Sequence, residues 1–243
     1  MVTAPTDADD VSAAPHIAGT RMYANKNGRR ATTIITQTRD VLMRATAEHT
    51  ADLPEHMLEV GELARNVARR LGLDAETIEL TLRAGELHDV GKIAIPESIL
   101  NKPGPLSESE WAFIHGHTVI GERVLAAAPA LRPVARLVRS THERFDGGGY
   151  PDGLSGQEIP LPSRIVFACD AYHAMVSRRP YSRSMTESHA RAEILRCSGT
   201  QFDPRVVAAL LAELDERPRA SYLPPAARYA AFITGRSMGE VSR

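Results

Sequence analysis

The residues best suited to chemistry begin with an adjacent histidine and aspartate, His88 and Asp89. An imidazole nitrogen and a carboxylate oxygen at the end of a helix can bind one metal ion together. The preceding run, 74–87, has helical periodicity, and this helix is expected to end near Gly91, before Pro96. A lone His-Asp pair is a weak signal, so its interpretation depends on where the other histidines and aspartates fall.

Four further residues of these types lie on or just beyond the apolar faces of separate predicted helices, namely His56, His117, His142 and Asp170. Each alone is more often a core histidine or a salt-bridged carboxylate. Burying several ionisable groups in one core is costly, however, unless each group is paired. The basic residues fall mostly on polar faces, so a metal cation is the better partner. Imidazoles and carboxylates suit iron, manganese, zinc or nickel, and two such ions bridged by one carboxylate form a phosphoryl-transfer site.

Helical periodicity predicts the elements that position these residues, at 32–49, 53–71, 74–87, 107–128, 131–138, 165–175, 186–197 and from 204 onwards. Ser107 and Glu110 form a capping box at the start of the fourth helix, which Pro129 ends. Asp74 and Asp203 are expected to cap two of the other helices. Because composition also favours helix, with few aromatic residues and little alternation of strand type, an all-α fold is expected.

Spacing specifies the apolar faces of two of these helices. The face of the first consists of Ile35, Val41, Leu42 and Ala45, and that of the fourth consists of Phe113, His117, Ile120 and Val124, with His115 off it. Segments rich in Gly and Pro predict loops at 93–106 and 145–162. The second loop is expected to be ordered because large apolar residues are interleaved in it. Residues 176–185 are expected to form a basic loop.

Composition and charge limit the function classes. The chain has 243 residues, of which 43 % are hydrophobic, enough for one large domain with tails. Its net charge of −1 gives no indication of binding to a nucleic-acid polymer or a membrane surface. Cys169 and Cys197 indicate neither a disulfide framework nor a zinc site. The chain has no signal-peptide segment and no apolar run of membrane-spanning length, so a cytoplasmic location is expected.

The motifs, taken in order, closely resemble the HD-GYP subgroup of HD-domain metal-dependent phosphohydrolases. The likeness covers about residues 50–215 and is carried by His88-Asp89-Val-Gly-Lys-Ile-Ala-Ile-Pro, Lys102-Pro-Gly-Pro-Leu, Trp111, His117, His142-Glu143-Arg-Phe-Asp146-Gly-Gly-Gly149-Tyr150-Pro151, Ile159-Pro-Leu-Pro-Ser-Arg-Ile, Asp170, Arg179-Pro-Tyr and Gly199-Thr-Gln-Phe-Asp-Pro. The resemblance implies a helical bundle over 31–216 with a metal site in its core and an ordered Gly- and Pro-rich loop. Residues 1–30 would then be a disordered tail, and 217–243 a terminal helix or tail.

The activity implied by this resemblance is metal-dependent hydrolysis of cyclic di-GMP to pGpG or GMP. The implied cofactor is iron or manganese, bound as two ions. By the same resemblance the first metal falls on His56, His88, Asp89 and Asp170. Asp89 would bridge to a second metal held by His117 and His142. Lys92 would face the phosphate or the leaving group. The loop beside the site would be formed by Gly149, Tyr150 and Pro151. A substrate phosphate would be met by Arg179 and Arg183.

The sequence departs from the family's pattern at four positions. Thr141 replaces the first of two adjacent histidines, so the second metal has one ligand fewer. His173 replaces an aspartate three residues after Asp170, where it alters the water network or supplies a nitrogen. Ser182 replaces a basic residue, with Arg183 one step later, and Asp52 replaces a glutamate that supports a third metal in some members.

These departures keep two alternatives open. One is hydrolysis of another nucleotide by the same fold, and the other is a catalytically degenerate module that binds a nucleotide or a partner protein. Tyr150 could be a loop anchor rather than a substrate contact, and Lys92 and Arg179 could be plain surface residues. The sequence also leaves open a homodimer or a signalling partner protein.

Overall fold

The computed structural model describes residues 33–50, 53–177 and 185–216, and every structural statement below concerns these ranges. They form ten α-helices: α1 (33–49), α2 (Leu53–Arg70), α3 (Ala75–Leu87), α4 (Glu97–Leu100), α5 (Glu108–His115), α6 (His117–Ala126), α7 (Arg132–Arg139), α8 (Leu161–Val176), α9 (Glu187–Arg196) and α10 (Pro204–Glu216). Short 3-10 segments lie at Val90–Ala94, Pro129–Leu131 and Gly156–Glu158. The one β-type pairing in these ranges is an isolated bridge between Ser198 and Phe202. The expected all-α fold is therefore confirmed.

Helix α2 lies at the centre of the bundle and packs against α3, α8 and α10. Its buried side is the one that the spacing predicted, with Val60, Leu63, Ala64 and Val67 almost fully enclosed. The helix ends at Arg70, and Gly72 follows with a positive φ of 72°. The next helix, α3, is capped as predicted, because the Asp74 side chain accepts a hydrogen bond from the Thr77 amide.

A pair of glycines allows α2 and α3 to cross closely. A Cβ atom on Gly85 would lie only 2.6 Å from the Cα atom of Gly61, so neither helix could carry a side chain at the crossing. The two helix backbones therefore approach each other more closely than a pair of alanines would permit. This crossing brings His56, near the start of α2, towards His88, which directly follows α3.

The region 93–128 differs from the prediction in two ways. The expected loop at 93–106 contains the short helix α4. The single helix expected from Ser107 to Pro129 is divided at Gly116 into α5 and α6, although its capping box is present as predicted. Phe113 and His117 therefore belong to different helices. Phe113 is 57 % exposed, so its assignment to the apolar face was wrong.

Two smaller corrections concern helix α1 and helix α8. Val41 was assigned to the buried face of α1 but is 66 % exposed, whereas Met43 and Thr46 are buried. Thr46 can be buried because its hydroxyl donates to the Leu42 carbonyl at 2.9 Å, which leaves no polar hydrogen unpaired. Helix α8 begins at Leu161, four residues before the predicted Ile165.

Some predictions fall outside the described residues. They concern the two tails, residues 178–184 of the basic loop, and Asp52. Helices α9 and α10 begin where the sequence predicted. At these starts the side chains of Thr186 and Asp203 accept hydrogen bonds from the amides of His189 and Arg205. Among the helices of the described ranges, none has the length and apolar character that crossing a membrane requires.

Candidate metal centre

Five separate elements bring the six predicted ligands to one place in the core. They come from α2 (His56), the turn after α3 (His88 and Asp89), the first residue of α6 (His117), the turn after α7 (His142) and the middle of α8 (Asp170). The ligand atoms form two groups in which all of them lie within 4.8 Å of one another. We call His56, His88 and Asp170 the first group, and Asp89, His117 and His142 the second group.

The first group is arranged around one oxygen of Asp170. The Asp170 Oδ1 atom lies 2.9 Å from His56 Nε2 and 3.7 Å from His88 Nε2. His56 lies within α2 and Asp170 lies within α8, and these two helices are in direct contact. Two imidazole nitrogens and one carboxylate oxygen are a donor set typical of iron, manganese or zinc.

Asp89 lies between the two groups, with one carboxylate oxygen directed to each. Its Oδ1 atom is 3.4 Å from His117 Nε2, in the second group. Its Oδ2 atom is 3.4 Å from His88 Nε2 and 4.0 Å from His56 Nε2, in the first group. This is the geometry of a carboxylate that could bridge two ions.

Four buried polar atoms of this site have no hydrogen-bond partner among the described residues, namely His88 Nε2, Asp89 Oδ1, His117 Nε2 and His142 Nε2. A buried acceptor without a partner costs about 1–3 kcal/mol each. Four unpaired polar atoms in one small volume would be an unusual energetic cost in a core that bound no ligand. The residues therefore fit a metal-binding site, where each of these lone pairs would coordinate an ion.

Backbone carbonyls determine which imidazole nitrogen is available. The Nδ1 atom of His88 donates to the Gly85 carbonyl at 2.8 Å, and the Nδ1 atom of His117 donates to the Ile114 carbonyl. Each hydrogen bond holds the proton on Nδ1, so the Nε2 lone pair of the neutral ring faces the site.

Burial and charge act together on the ionisable groups. Burial lowers the pKa of His142 to about 3, so this ring is neutral. Burial also acts to lower the pKa of His88, but the Asp89 and Asp170 carboxylates outweigh it and raise that pKa to about 10. In the absence of a cation the His88 ring therefore carries a second proton on Nε2, and a metal ion would have to displace this proton to bind there. Burial acts to raise the pKa of both aspartates, but neighbouring groups outweigh it and hold both carboxyl pKa values well below their usual range. These groups are His88 and Lys92 at Asp89, and His56 and His88 at Asp170. The carboxylates are thus ionised and ready to bind a cation.

The segment Val90–Ala94 carries Lys92 to the bridging aspartate. The Lys92 Nζ atom lies 2.6 Å from Asp89 Oδ2, and its side chain is partly exposed. Gly91 makes this approach to α6 sterically feasible, because a Cβ atom there would lie only 1.9 Å from the His117 carbonyl oxygen. Lys92 therefore places a positive charge beside the shared carboxylate without filling a ligand position.

The loop 145–162 packs beside the second group. The ring of Tyr150 stacks between His142 and His115, with centroid distances of 5.2 Å and 4.0 Å. Gly149 has no room for a side chain, since a Cβ atom would lie 2.2 Å from the Arg144 amide nitrogen. The Tyr150–Pro151 peptide bond is cis.

Hydrogen bonds fix this loop to its surroundings. The buried carboxylate of Glu143 accepts from the amides of Asp152 and Leu154, and Arg139 forms a two-fold ion pair with Asp152. The amide of Tyr150 donates to the His142 carbonyl at 3.2 Å. Tyr150 is thus a loop anchor and, at the same time, a wall of the site.

Two of the departures from the family's pattern can be located. The hydroxyl of Thr141 donates to the Val138 carbonyl at 2.8 Å, so it is directed into its own helix and not to the second group. His173 lies behind His56, with 2.7 Å between the two Nδ1 atoms, and belongs to neither ligand group. Arg179, Ser182 and Arg183 lie outside the described residues.

Sequence reasoning missed two residues beside the site. His115 was placed off the apolar face, and the periodicity gave no indication that it stacks on Tyr150, which lies in a separate loop. Glu59, whose carboxylate contacts His173 Nε2, was not singled out. Its position three residues after His56 was the available signal, because residues at that spacing share a helix face.

Comparisons with known proteins agree with this geometry. Residues 30–206 match the family model of the HD domain. The chain is 43 % identical over 154 residues to the cyclic di-GMP phosphodiesterase response regulator RpfG of Xanthomonas campestris, covering 63 % of this chain and 41 % of that protein. It is 35 % identical over 177 residues to the 3'3'-cGAMP-specific phosphodiesterase 2 of Vibrio cholerae, covering 72 % of this chain and 34 % of that protein. The chain thus spans less than half the length of these relatives.

A solved structure of a cyclic GMP-AMP-specific phosphodiesterase from Vibrio cholerae has the same fold. It aligns with a TM-score of 0.57 at 20 % identity and covers 84 % of this chain and 52 % of that one. The family match spans more than half of the sequence. The loop that carries Gly149, Tyr150 and Pro151 lies beside the second group. The chain therefore belongs to the HD domain family, and its motifs and relatives support a place in the HD-GYP subgroup.

Proposed function

We propose that this chain is a metal-dependent phosphodiesterase that hydrolyses cyclic di-GMP to pGpG or GMP. The observation that carries the proposal is the position of Asp89, whose two carboxylate oxygens face two separate groups of ligands. A bridging carboxylate between two ions is the arrangement used for in-line displacement at phosphorus. The relative RpfG, which is named a cyclic di-GMP phosphodiesterase, supports this choice of substrate.

His56, His88 and Asp170 would hold one ion, His117 and His142 the other, and Asp89 both. Iron or manganese is the proposed metal, since both accept mixed imidazole and carboxylate ligands. Bound ions supply Lewis acidity and a nucleophile near neutral pH. The second ion is expected to bind more weakly, because Thr141 offers its hydroxyl to Val138 and not to the site.

The other residues of the site bind and orient the substrate. Lys92 places its ammonium group where negative charge develops on the phosphoryl oxygens. Gly149, Tyr150 and Pro151 form the wall beside the second group and are proposed to contact the nucleotide. Arg179 and Arg183 are proposed to bind a substrate phosphate through their guanidinium groups, as their places in the sequence motif indicate.

Metal analysis combined with a hydrolysis panel tests this function. Protein purified without chelator is expected to contain iron or manganese and, under reducing conditions, to convert cyclic di-GMP to pGpG or GMP. If fresh protein holds no transition metal and takes none up on reconstitution, the metal centre is wrong. If the loaded protein binds cyclic di-GMP tightly but forms no product over hours, it is a receptor and not an enzyme.

A second candidate substrate is 3'3'-cGAMP. It is favoured by the relative from Vibrio cholerae whose name specifies that dinucleotide, and by the changes at Thr141 and His173. Both dinucleotides present the same phosphodiester to the two groups, so the metals and Lys92 would act alike on them. Parallel measurements of kcat/KM on the two substrates decide between them, and a higher value for 3'3'-cGAMP would overturn the first choice.

A further inference from the structure

We propose that His173 and Glu59 are positioning residues which hold the His56 ring in the tautomer and orientation that bind metal. Behind the first group the side chains are arranged in a row, from the Glu59 carboxylate to His173 and then to His56. We call this row the Glu59–His173–His56 relay. His56 alone of these three residues belongs to a ligand group.

The relay follows from the crossing of two helices. His56 and Glu59 are three residues apart on α2, and Asp170 and His173 are three residues apart on α8. Residues at that spacing lie on the same face of a helix. At the front of the crossing His56 Nε2 is 2.9 Å from Asp170 Oδ1, and at the rear Glu59 contacts His173. The same two helices thus supply two ligands and the support for one of them.

The protons can be assigned from one end of the relay. The Glu59 carboxylate can only accept, so the contact with His173 Nε2 places a proton on that nitrogen. A neutral His173 then has an unprotonated Nδ1 atom, which accepts from His56 Nδ1 at 2.7 Å. The Ser177 hydroxyl lies beside the same ring, 3.1 Å from His173 Nδ1 and 3.3 Å from His173 Nε2.

This assignment leaves the second nitrogen of His56 free to coordinate. A neutral His56 ring has a single proton, and the acceptor at His173 Nδ1, 2.7 Å away, places that proton on His56 Nδ1. With that proton on Nδ1, the Nε2 lone pair faces the first group. If the relay ran in the reverse direction, the proton would lie on Nε2 and His56 could not bind a metal.

Shielding from water makes the relay effective. The side chains of His56, His173 and Glu59 are 14 %, 12 % and 9 % exposed. Hydrogen bonds between such groups are stronger than at the surface, and outer partners of histidine ligands typically change metal affinity 10- to 100-fold. The relay thus supports the first group from the position where the family's pattern has an aspartate.

The role of the relay depends on the proposed metal centre, so the test must separate the two. Zinc serves as a diamagnetic probe, and both binding steps are measured by competition with a chelator. The zinc-binding step that His142→Ala weakens is assigned to the second group. The step that His56→Ala weakens is assigned to the first group. If wild-type protein binds no zinc, or if His56→Ala leaves both binding steps unchanged, the proposed metal centre is wrong, and the proposed role of the relay is wrong with it.

His173→Phe removes the acceptor and is expected to weaken the first-group step about 10-fold or more while leaving the other step unchanged. His173→Asn keeps an acceptor near the Nδ1 position and should recover most of the loss. Glu62→Gln, on the same helix but paired with Arg65 at the surface, is the matched control and should leave zinc binding unaltered.

The double variant Glu59→Leu/His173→Phe avoids burying a carboxylate beside an apolar ring. It should retain the Tm of the metal-free wild type and still show the weaker first-group step. Equal zinc affinity for wild type and this folded double variant would overturn the proposal.

The hydrogen bond itself can be observed in zinc-loaded protein with 15N-labelled histidine. A scalar coupling between the Nδ1 atoms of His56 and His173, transmitted through the shared proton, is expected in the wild type. It should be absent from His173→Phe. Zinc-loaded wild type without this coupling, and with the His173 proton on Nδ1, would contradict the direction of the relay.

Discussion

The two ligand groups are built in different ways. The first group has His56 and Asp170 on two continuous helices in direct contact, with His173 and Glu59 behind it. The second group depends on the first residue of α6 and on a turn after α7, and its wall is a loop. Helices position side chains more rigidly than turns do. From this comparison we expect the first group to bind an ion more firmly than the second group, whose geometry depends on the loop.

The largest effect is expected where the two groups meet. Asp89→Asn replaces the shared carboxylate by a neutral amide, so at least one ion should be lost and kcat/KM should fall by about 10³-fold or more. Elemental analysis and hydrolysis assays on the same sample provide the measurement. Asp215→Asn, at an exposed ion pair on α10, is the control and should behave as wild type. Full metal content in Asp89→Asn would remove Asp89 from the bridge.

Lys92 also touches the shared aspartate, but it is not a ligand. Lys92→Ala should lower kcat by about 10²-fold, because an ammonium group that meets charge in the transition state would be lost. Metal content should stay at the wild-type level. Lys102→Ala, which breaks a surface pair with Glu110, is the control. Loss of metal from Lys92→Ala together with activity would show that the residue supports the ions and not the substrate.

A change at Thr141 should make the two groups more alike. Thr141→His restores an imidazole beside His142 and is expected to tighten the second ion about 10-fold. This is the order expected when one ligand or its support is added. Thr141→Val, which removes the hydroxyl but keeps the shape, should leave the affinity unchanged. Equal and saturated occupancy of both sites in wild type and Thr141→His would show that another group already fills the position.

The smallest effect is expected from the stacking that holds the loop wall. His115→Ala removes one partner of Tyr150, and an aromatic pair contributes about 0.5–1.5 kcal/mol, which corresponds to a weakening of about 2- to 10-fold. The second ion should be affected and the first should not. His189→Ala, at another exposed histidine, is the control. A uniform weakening of both ions would contradict a local role for the loop.

The proximity of the six candidate ligands could be predicted from the sequence because their types and order are distinctive. His56, His88, Asp89, His117, His142 and Asp170 were all expected at one site, and the structure brings them together. Caps at Asp74, Ser107 and Asp203 were equally predictable, since a cap depends on residues two or three apart in the chain.

The features that could not be predicted depend on distances between segments far apart in the chain. Periodicity indicates which face of a helix is buried, but not where two helices cross. The close approach at Gly61 and Gly85, and that of Gly91 to His117, are such distances. For the same reason Glu59 was missed, because its partner His173 is more than a hundred positions away. One apolar spacing continues through the division between α5 and α6 at Gly116, so periodicity wrongly placed Phe113 on the buried face.

The most direct test of the central claim is the electron paramagnetic resonance spectrum of the protein loaded with two equivalents of Mn²⁺. Two ions that share the Asp89 carboxylate should give an exchange-coupled spectrum, and Asp89→Asn should convert it to the signal of isolated ions or remove it. The control Asp215→Asn should keep the coupled spectrum. If the wild type at full loading shows only isolated Mn²⁺, the two groups do not share a bridging carboxylate and the account of this site is wrong.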